Sequence, residues 1–287
     1  EATMEANPGS AEAGKFAGFR AAGINRLSLG IQRLDDACLQ ALGRVHNSDQ
    51  ARAAIEYARA AGFASFNIDL MHGLPGQSAE AAATDLRTAL GFAPPHLSWY
   101  QLTIEPNTVF HKRPPQLPSE DALADIQQAG EALLAAAGYG QYEVSAYSRP
   151  GLRCRHNLNY WSFGDYLGIG AGAHGKITDA DGRIQRYHKT RQPADYLAAC
   201  SGTFTSGSRE LERADIVGEF MLNALRLNEG FTRDLFEART GLDFAVIEPQ
   251  LLKLQERELI VCDHRGIRAS ALGRRFLDSV IAEFFSG

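Results

Sequence analysis

Glu5, Gln32, Arg44 and Asp69 are the first residues of the chain whose types add up to chemistry. A carboxylate accepts hydrogen bonds from ribose hydroxyls or an amino group, and an amide does so without charge. A guanidinium grips a carboxylate through two parallel bonds. On one rim these four would suit a zwitterionic nucleoside such as S-adenosylmethionine; kept apart, they are solvated strand ends or caps. Gly73-Leu74-Pro75-Gly76 follows close behind Asp69, and its glycines permit a tight turn or a close backbone approach to a ligand. It lacks the lysine and the spacing of a phosphate-binding loop.

A second constellation is Cys154-Arg155-His156-Asn157-Leu158-Asn159-Tyr160-Trp161. Imidazole is a common protein ligand of heme iron. Tyr160 and Trp161 are flat enough to lie against a porphyrin, and Arg153 or Arg155 could meet its propionates. The bland alternative for His156 is a surface residue, and Cys154 and His174 remain rivals for the iron. Leu167–Gly175 is dense in small residues, which suits close backbone approach. It is not a dinucleotide fingerprint, because Asp179 and Asp181 follow too early. The four cysteines, Cys38, Cys154, Cys200 and Cys262, are far apart and no two have metal-ligand spacing. They read as free thiols of a reducing cytoplasm.

These groups need elements to position them. Residues 1–104 alternate strand and helix. Met4–Pro8 ends a strand, Ala11–Ala22 is a helix, Asn25–Gln32 a strand, and Ser48–Ala61 a helix capped by Asn47 or Ser48. Phe66–Met71 is a strand, Ser78–Leu90 a helix and Leu97–Ile104 a strand. That order predicts parallel strands with crossover helices. Glu5, Gln32, Asp69 and Thr103 then fall at C-terminal strand ends, the edge that carries ligands in barrels and open sheets alike. A Pro-rich stretch (105–118) precedes a helix over Ser119–Ala137 and a strand over Gly138–Ser148. Gly202–Ser208 reads as a linker. Beyond it, helices over Ala214–Leu227 and after Thr232, a hairpin turning at His264-Arg265-Gly266, and a helix over Ala271–Phe285 make a winged-helix-like module.

The 287 residues are 45% hydrophobic and 22% charged, with a formal net charge of −5. No apolar run reaches the ~20 residues of a membrane span, which leaves peripheral membrane association open. Residues 205–287 hold 11 Lys and Arg against 14 Asp and Glu. That is the wrong balance for phosphate contacts, so neither nucleic acid nor a winged-helix DNA regulator is expected.

Taken together, the runs at 3–10 (TMEANPGS), 66–77 (FNIDLMHGLPGQ) and 97–108 (LSWYQLTIEPNT), and the longer segment 141–175, make the chain resemble the radical-SAM heme chaperones. These are relatives of oxygen-independent coproporphyrinogen III oxidase. The resemblance covers essentially the whole chain and is most specific between Gln141 and Gly175. It implies a partial (β/α)6 radical-SAM barrel lacking its first strands, over residues 1–118. A barrel-edge helix, strand and His156/Gly-rich region would follow over 119–201, and a C-terminal winged-helix-like α+β domain over 209–287. It implies that Glu5, Gln32, Arg44, Asp69, Thr103 and His174 line an S-adenosylmethionine site. His156, Asn157, Tyr160 and Trp161 would bind heme, with His156 as iron ligand. The family's C-x3-C-x2-C loop for a [4Fe-4S] cluster would lie upstream of Glu1, so the chain reads as N-terminally truncated. The implied function is to bind heme and pass it to a respiratory apoprotein. The runner-up is the oxidase, which decarboxylates propionates by radical chemistry. The family also implies that this chain alone, without cluster cysteines, does not cleave S-adenosylmethionine.

Overall fold

A computed structural model describes residues 1–10, 13–199 and 204–285. The chain divides into two compact units, Glu1–Cys154 and Arg155–Gly287.

The N-terminal unit runs β1 (Thr3–Ala6), α1 (Ala13–Ala21), β2 (Arg26–Gln32), α2 (Asp36–Ala41), α3 (Ser48–Ala60), β3 (Ser65–His72), α4 (Ala79–Gly91), β4 (His96–Gln101), α5 (Val109–Lys112), α6 (Glu120–Ala136), β5 (Gly140–Gln141) and β6 (Ala146–Ser148). Its sheet has the order β1-β2-β3-β4-β6-β5. The first four strands are parallel, and β6 joins β4 antiparallel.

Each central strand alternates. Leu27, Leu29 and Ile31, then Phe66, Ile68 and Leu70, then Leu97 and Trp99 are buried on one face. They pack with Ala51, Ile55 and Ala58 of α3, Ala82, Leu86 and Ala89 of α4, and Ile126 and Leu134 of α6. The helices start where short polar side chains satisfy free amides. Asn47 and Gln50 cap α3 reciprocally, and Ser78 and Ser119 cap α4 and α6. At Gly130 of α6 an added Cβ would sit 1.9 Å from the Trp99 ring, so the helix lies on the indole only because glycine is there.

The C-terminal unit opens with α7 (Arg155–Trp161). An antiparallel sheet follows, made of β7 (His174–Thr178), β8 (Ile184–Lys189) and β9 (Thr205–Glu210), with α8 (Pro193–Ala198) between the last two. Then come α9 (Arg213–Ala224), α10 (Arg233–Thr240), α11 (Glu248–Glu256), the hairpin β10 (Ile260–Asp263) and β11 (Gly266–Ala269), α12 (Ala271–Arg275) and α13 (Leu277–Ala282). Phe220 of α9 is fully buried at the centre, edge-on to Phe163, Phe231 and Phe236 at 5.8, 5.0 and 5.0 Å.

Several expectations are corrected. The stretch taken for a linker is in part an edge strand: Thr205–Glu210 pairs with β8, while residues 201–203 and Cys200 lie outside the described residues. This strand is largely exposed and polar, so it has no apolar period to betray it. The two compact units part in sequence at Cys154/Arg155. Gly138–Ser148 is two short strands rather than one, because the chain reverses between Gln141 and Ala146. Ala271–Phe285 breaks at Phe276, whose φ and ψ of −120° and 34° interrupt the helix without altering the apolar spacing. β4 stops at Gln101, three residues early. Helix α2 was not anticipated; its cap, Asp35, accepts from the Cys38 amide.

Candidate functional site

In the N-terminal unit the second face of the sheet is polar. Register places Glu5 beside Ser28, Ser28 beside Asn67, Asn67 beside His96, and Asp69 beside Ser98. The Asp69 carboxylate accepts from Asn67 Nδ2 at 2.7 Å and from Ser28 Oγ at 3.1 Å. Asn67 Oδ1 accepts from Ser98 Oγ at 3.1 Å and meets His96 Nδ1 at 2.7 Å. His96 Nε2 meets the Tyr142 hydroxyl at 2.8 Å.

Because Asn67 Oδ1 can only accept, His96 carries its proton on Nδ1 and accepts from Tyr142. Burial, helped by Arg26, pulls the His96 pKa down to about 3, so the ring is neutral at physiological pH. Burial likewise raises the Asp69 carboxyl above its ordinary value; the hydrogen bonds from Asn67, Ser28 and Ser98 oppose this and the Glu5 charge adds to it.

Gln32 closes β2 with a positive φ of 64°, in the left-handed region that non-glycine residues seldom occupy. Its Oε1 accepts from the Tyr100 hydroxyl at 2.5 Å. Burial raises the Tyr100 pKa, the Asp69 charge raises it further, and Arg44 and Gln32 lower it. Glu5, Asp69, Tyr100, Gln32 and Arg44 therefore share one electrostatic neighbourhood. Arg44 has no hydrogen-bond or ion-pair partner for its guanidinium among the described residues.

The set differs from its sequence reading in two ways. Asp69 lies mid-strand on a face, not at a strand end. Thr103 lies beyond β4, exposed, and donates to Glu105 Oε1 at 3.2 Å. Ser28, Asn67, His96, Ser98, Tyr100 and Tyr142 were missed. The alternate-residue rhythm of β2, β3 and β4 is the signal that finds all of them but Tyr142.

The C-terminal unit holds the second group. His156 and Tyr160, four residues apart on α7, stand on one helix face with ring centroids 4.6 Å apart. Tyr160 continues to Tyr166 at 4.3 Å. The Tyr166 hydroxyl accepts from Arg186 Nη1 at 2.5 Å, and Arg186 is held by Glu219 at 2.6 Å. Trp161 turns away from that face, with the Arg226 guanidinium 4.7 Å from its ring centre. Its buried indole N–H has no partner among the described residues. Asn157 lies one turn before Trp161 on the neighbouring stripe. Tyr160 and Trp161 thus lie on different stripes of α7 and do not form one flat platform. His174 is exposed at the start of β7, its ring near that of His188.

The comparisons with known proteins follow these two halves. The sequence model of the Radical SAM superfamily matches residues 1–89, and that of the HemN C-terminal domain matches residues 211–276. The heme chaperone HemW of Escherichia coli (strain K12) is 54% identical, aligned over 100% of this chain and 75% of its own. The chain belongs to the HemW family of radical-SAM heme chaperones. HemW of Haemophilus influenzae is 47% identical over 100% of this chain and 74% of its own. The mitochondrial radical S-adenosyl methionine domain-containing protein 1 of Bos taurus is 36% identical over 100% of this chain and 68% of its own. The chain thus spans about three quarters of the length of its HemW relatives. Among solved structures, coproporphyrinogen III oxidase (HemN) of E. coli superposes with a TM-score of 0.79 at 24% identity, over 99% of this chain and 69% of its own. The radical-SAM fold is shared.

HemW membership sets two fit tests. The donor set Glu5, Gln32, Arg44, Asp69 and Tyr100 matches the charges of S-adenosylmethionine: carboxylates for an ammonium group and hydroxyls, a free guanidinium for a carboxylate. The iron-sulfur cluster fails its test on these residues. Cys38, Cys154 and Cys262 stand singly, and no group of three potential ligands exists among the described residues. No helix among the described residues is long and apolar enough to cross a membrane.

Proposed function

We propose that this protein carries heme, accepting it on α7 through His156 and passing it to an acceptor protein in the cytoplasm, and that the polar face of β1–β4 holds S-adenosylmethionine. The observation that carries the heme reading is the pairing of His156 with Tyr160 on one face of α7. His156 is exposed, so its imidazole can reach iron, and Tyr160 offers a ring for the macrocycle edge. The Trp161 N–H is buried without a partner, which costs about 1–3 kcal/mol unless something accepts from it. Trp161 and Asn157 lie on the neighbouring stripe of α7, so their part in the heme site rests on the family resemblance alone. The HemW name of the relatives supports the same cargo.

A hemin titration of this chain is expected to saturate with a shifted Soret band, and His156→Ala is expected to weaken binding at least tenfold. Unsaturable binding by the folded chain would sink the reading, and so would equal affinity of the variant.

For S-adenosylmethionine, Arg44 would meet the carboxylate, Glu5 and Asp69 the ammonium and ribose hydroxyls, and Gln32 would be held for the ligand by Tyr100. The radical-SAM family supplies its electron from a cluster, and no part of that role falls to these residues. Arg44→Ala is expected to lower affinity by roughly 10- to 100-fold, since a hydrogen bond to a charged group contributes about 1.5–3 kcal/mol. Isothermal titration with S-adenosylmethionine measures it; an unchanged Kd would remove Arg44 from the site.

A further inference from the structure

A cavity of about 660 Å³ opens in the C-terminal unit beside the three-stranded sheet, lined by Tyr166, His174, Arg186, Tyr187, His188 and Glu219 among others. We propose that it is a second heme station, in which His174 and His188 offer an imidazole to the iron. The proposal rests on the heme reading above and gives His174 a different task from the nucleoside contact that the family resemblance implied.

Three observations carry it. First, His174 and His188 face each other across β7 and β8 in register, with ring centroids 5.7 Å apart. Neither imidazole has a hydrogen bond or ion pair among the described residues, whereas the neighbouring charges are satisfied. Arg186 is paired with Glu219 and Tyr166, and Arg209 with Asp215 and Glu219. The nitrogens of the pair are the groups left to act. Second, the backbone makes room for them: an added Cβ at Gly207 would lie 2.4 Å from the His188 ring. Third, the cavity shares Tyr166 with the ring series that begins at His156, so the two stations adjoin through Tyr160 and Tyr166.

The ligand class follows from ligand arithmetic. A bare zinc ion asks the protein for three or four ligands. Two imidazoles are on offer, and Glu219 is committed to two arginines. Heme iron arrives with four equatorial nitrogens and needs only one or two more from the protein. Tyr166 supplies an aromatic wall, and the volume lies in the range of small-molecule sites.

The test titrates the whole chain with hemin as wild type, His156→Ala, His174→Gln/His188→Gln, and the triple variant, each shown folded by circular dichroism. The expected result is that His156→Ala keeps a weaker saturable phase, which the triple variant loses at least tenfold. Added free imidazole should restore the Soret position of the triple variant. If His156→Ala abolishes all saturable binding, or if the triple variant binds like His156→Ala, the second station is overturned and the His156 site stands. If the wild type binds no hemin, both readings fall together.

Discussion

Acidification from pH 6.5 to pH 4 should strip several kcal/mol from the stability of the N-terminal unit, through two histidines buried without charge. His96 sits among Asn67, Ser98 and Tyr142 with its pKa pulled down to about 3 by burial and by Arg26. His72 packs against Trp99 with ring centroids 4.1 Å apart, and burial lowers its pKa to about 4. In the unfolded chain each titrates near 6.5. Between the two values the unfolded state binds the extra proton, so stability is complete above about pH 6.5 and falls as pH drops. The slope is about 1.4 kcal/mol per pH unit for each ring. The loss from His72 ends near pH 4, whereas that from His96 continues toward pH 3. Burial lowers His46 in the same direction.

Carboxylates with lowered pKa values, such as Asp35, add a further loss that begins at the acid end of this window and grows below it. The raised Asp69 acts the opposite way as it protonates. Chemical denaturation followed by Trp99 fluorescence in a Trp161→Phe background, at pH 7, 5.5 and 4.5, reads the slope. His72→Phe keeps an aromatic ring against Trp99 and should flatten the curve by about 1.4 kcal/mol per pH unit. An unaltered slope would mean that His72 is not the buried neutral base described above.

Phe220→Ala should cost the C-terminal unit about 3–5 kcal/mol. The ring is fully buried, and three other phenylalanine rings meet it edge-on. Truncation leaves a hole that these rings cannot fill by small shifts, and edge-to-face contacts are lost as well. Phe276→Ala, half-exposed at the α12–α13 break, is the control and should cost about 1 kcal/mol or less. Trp161 fluorescence in a Trp99→Phe background follows this unit. A cost for Phe220→Ala no larger than for Phe276→Ala would show that the core is not organised around this ring. The effect reaches function through the next residue. Glu219 precedes Phe220 on α9 and anchors Arg186, which holds Tyr166 against Tyr160 and His156. Hemin affinity should therefore fall together with stability in Phe220→Ala and stay unchanged in Phe276→Ala.

The parallel strands and their crossover helices were legible because local signals agree. Caps such as Ser78 and Ser119, stops such as Gly23 and Gly62, and buried alternation in β2 and β3 all point one way. The hairpin at Asp263–Gly266 was legible for the same reason. Edge strand β9 was not, because an exposed strand is under no pressure to alternate. The break at Phe276 was not, because a single change of φ and ψ leaves the apolar spacing intact.

Among the site residues, the sequence by itself determined the types at the positions it singled out, but not the full inventory, since Ser28, Asn67, His96, Ser98, Tyr100 and Tyr142 joined only through the fold. Glu5, Arg44 and Asp69 carry charges, and Gln32 a neutral amide, that suit a zwitterionic nucleoside, and His156 sits four residues before an aromatic that a helix brings beneath it. Only the tertiary structure decided the grouping. Lateral register between strands far apart in sequence joined Asp69 to Ser28, Asn67, Ser98 and His96, and a turn after Gln141 brought Tyr142 to His96. Helical phase, not adjacency, separated Trp161 from Tyr160, and strand pairing set His174 against His188. Residue type is written locally. Which types meet depends on register and packing, which are properties of the whole fold.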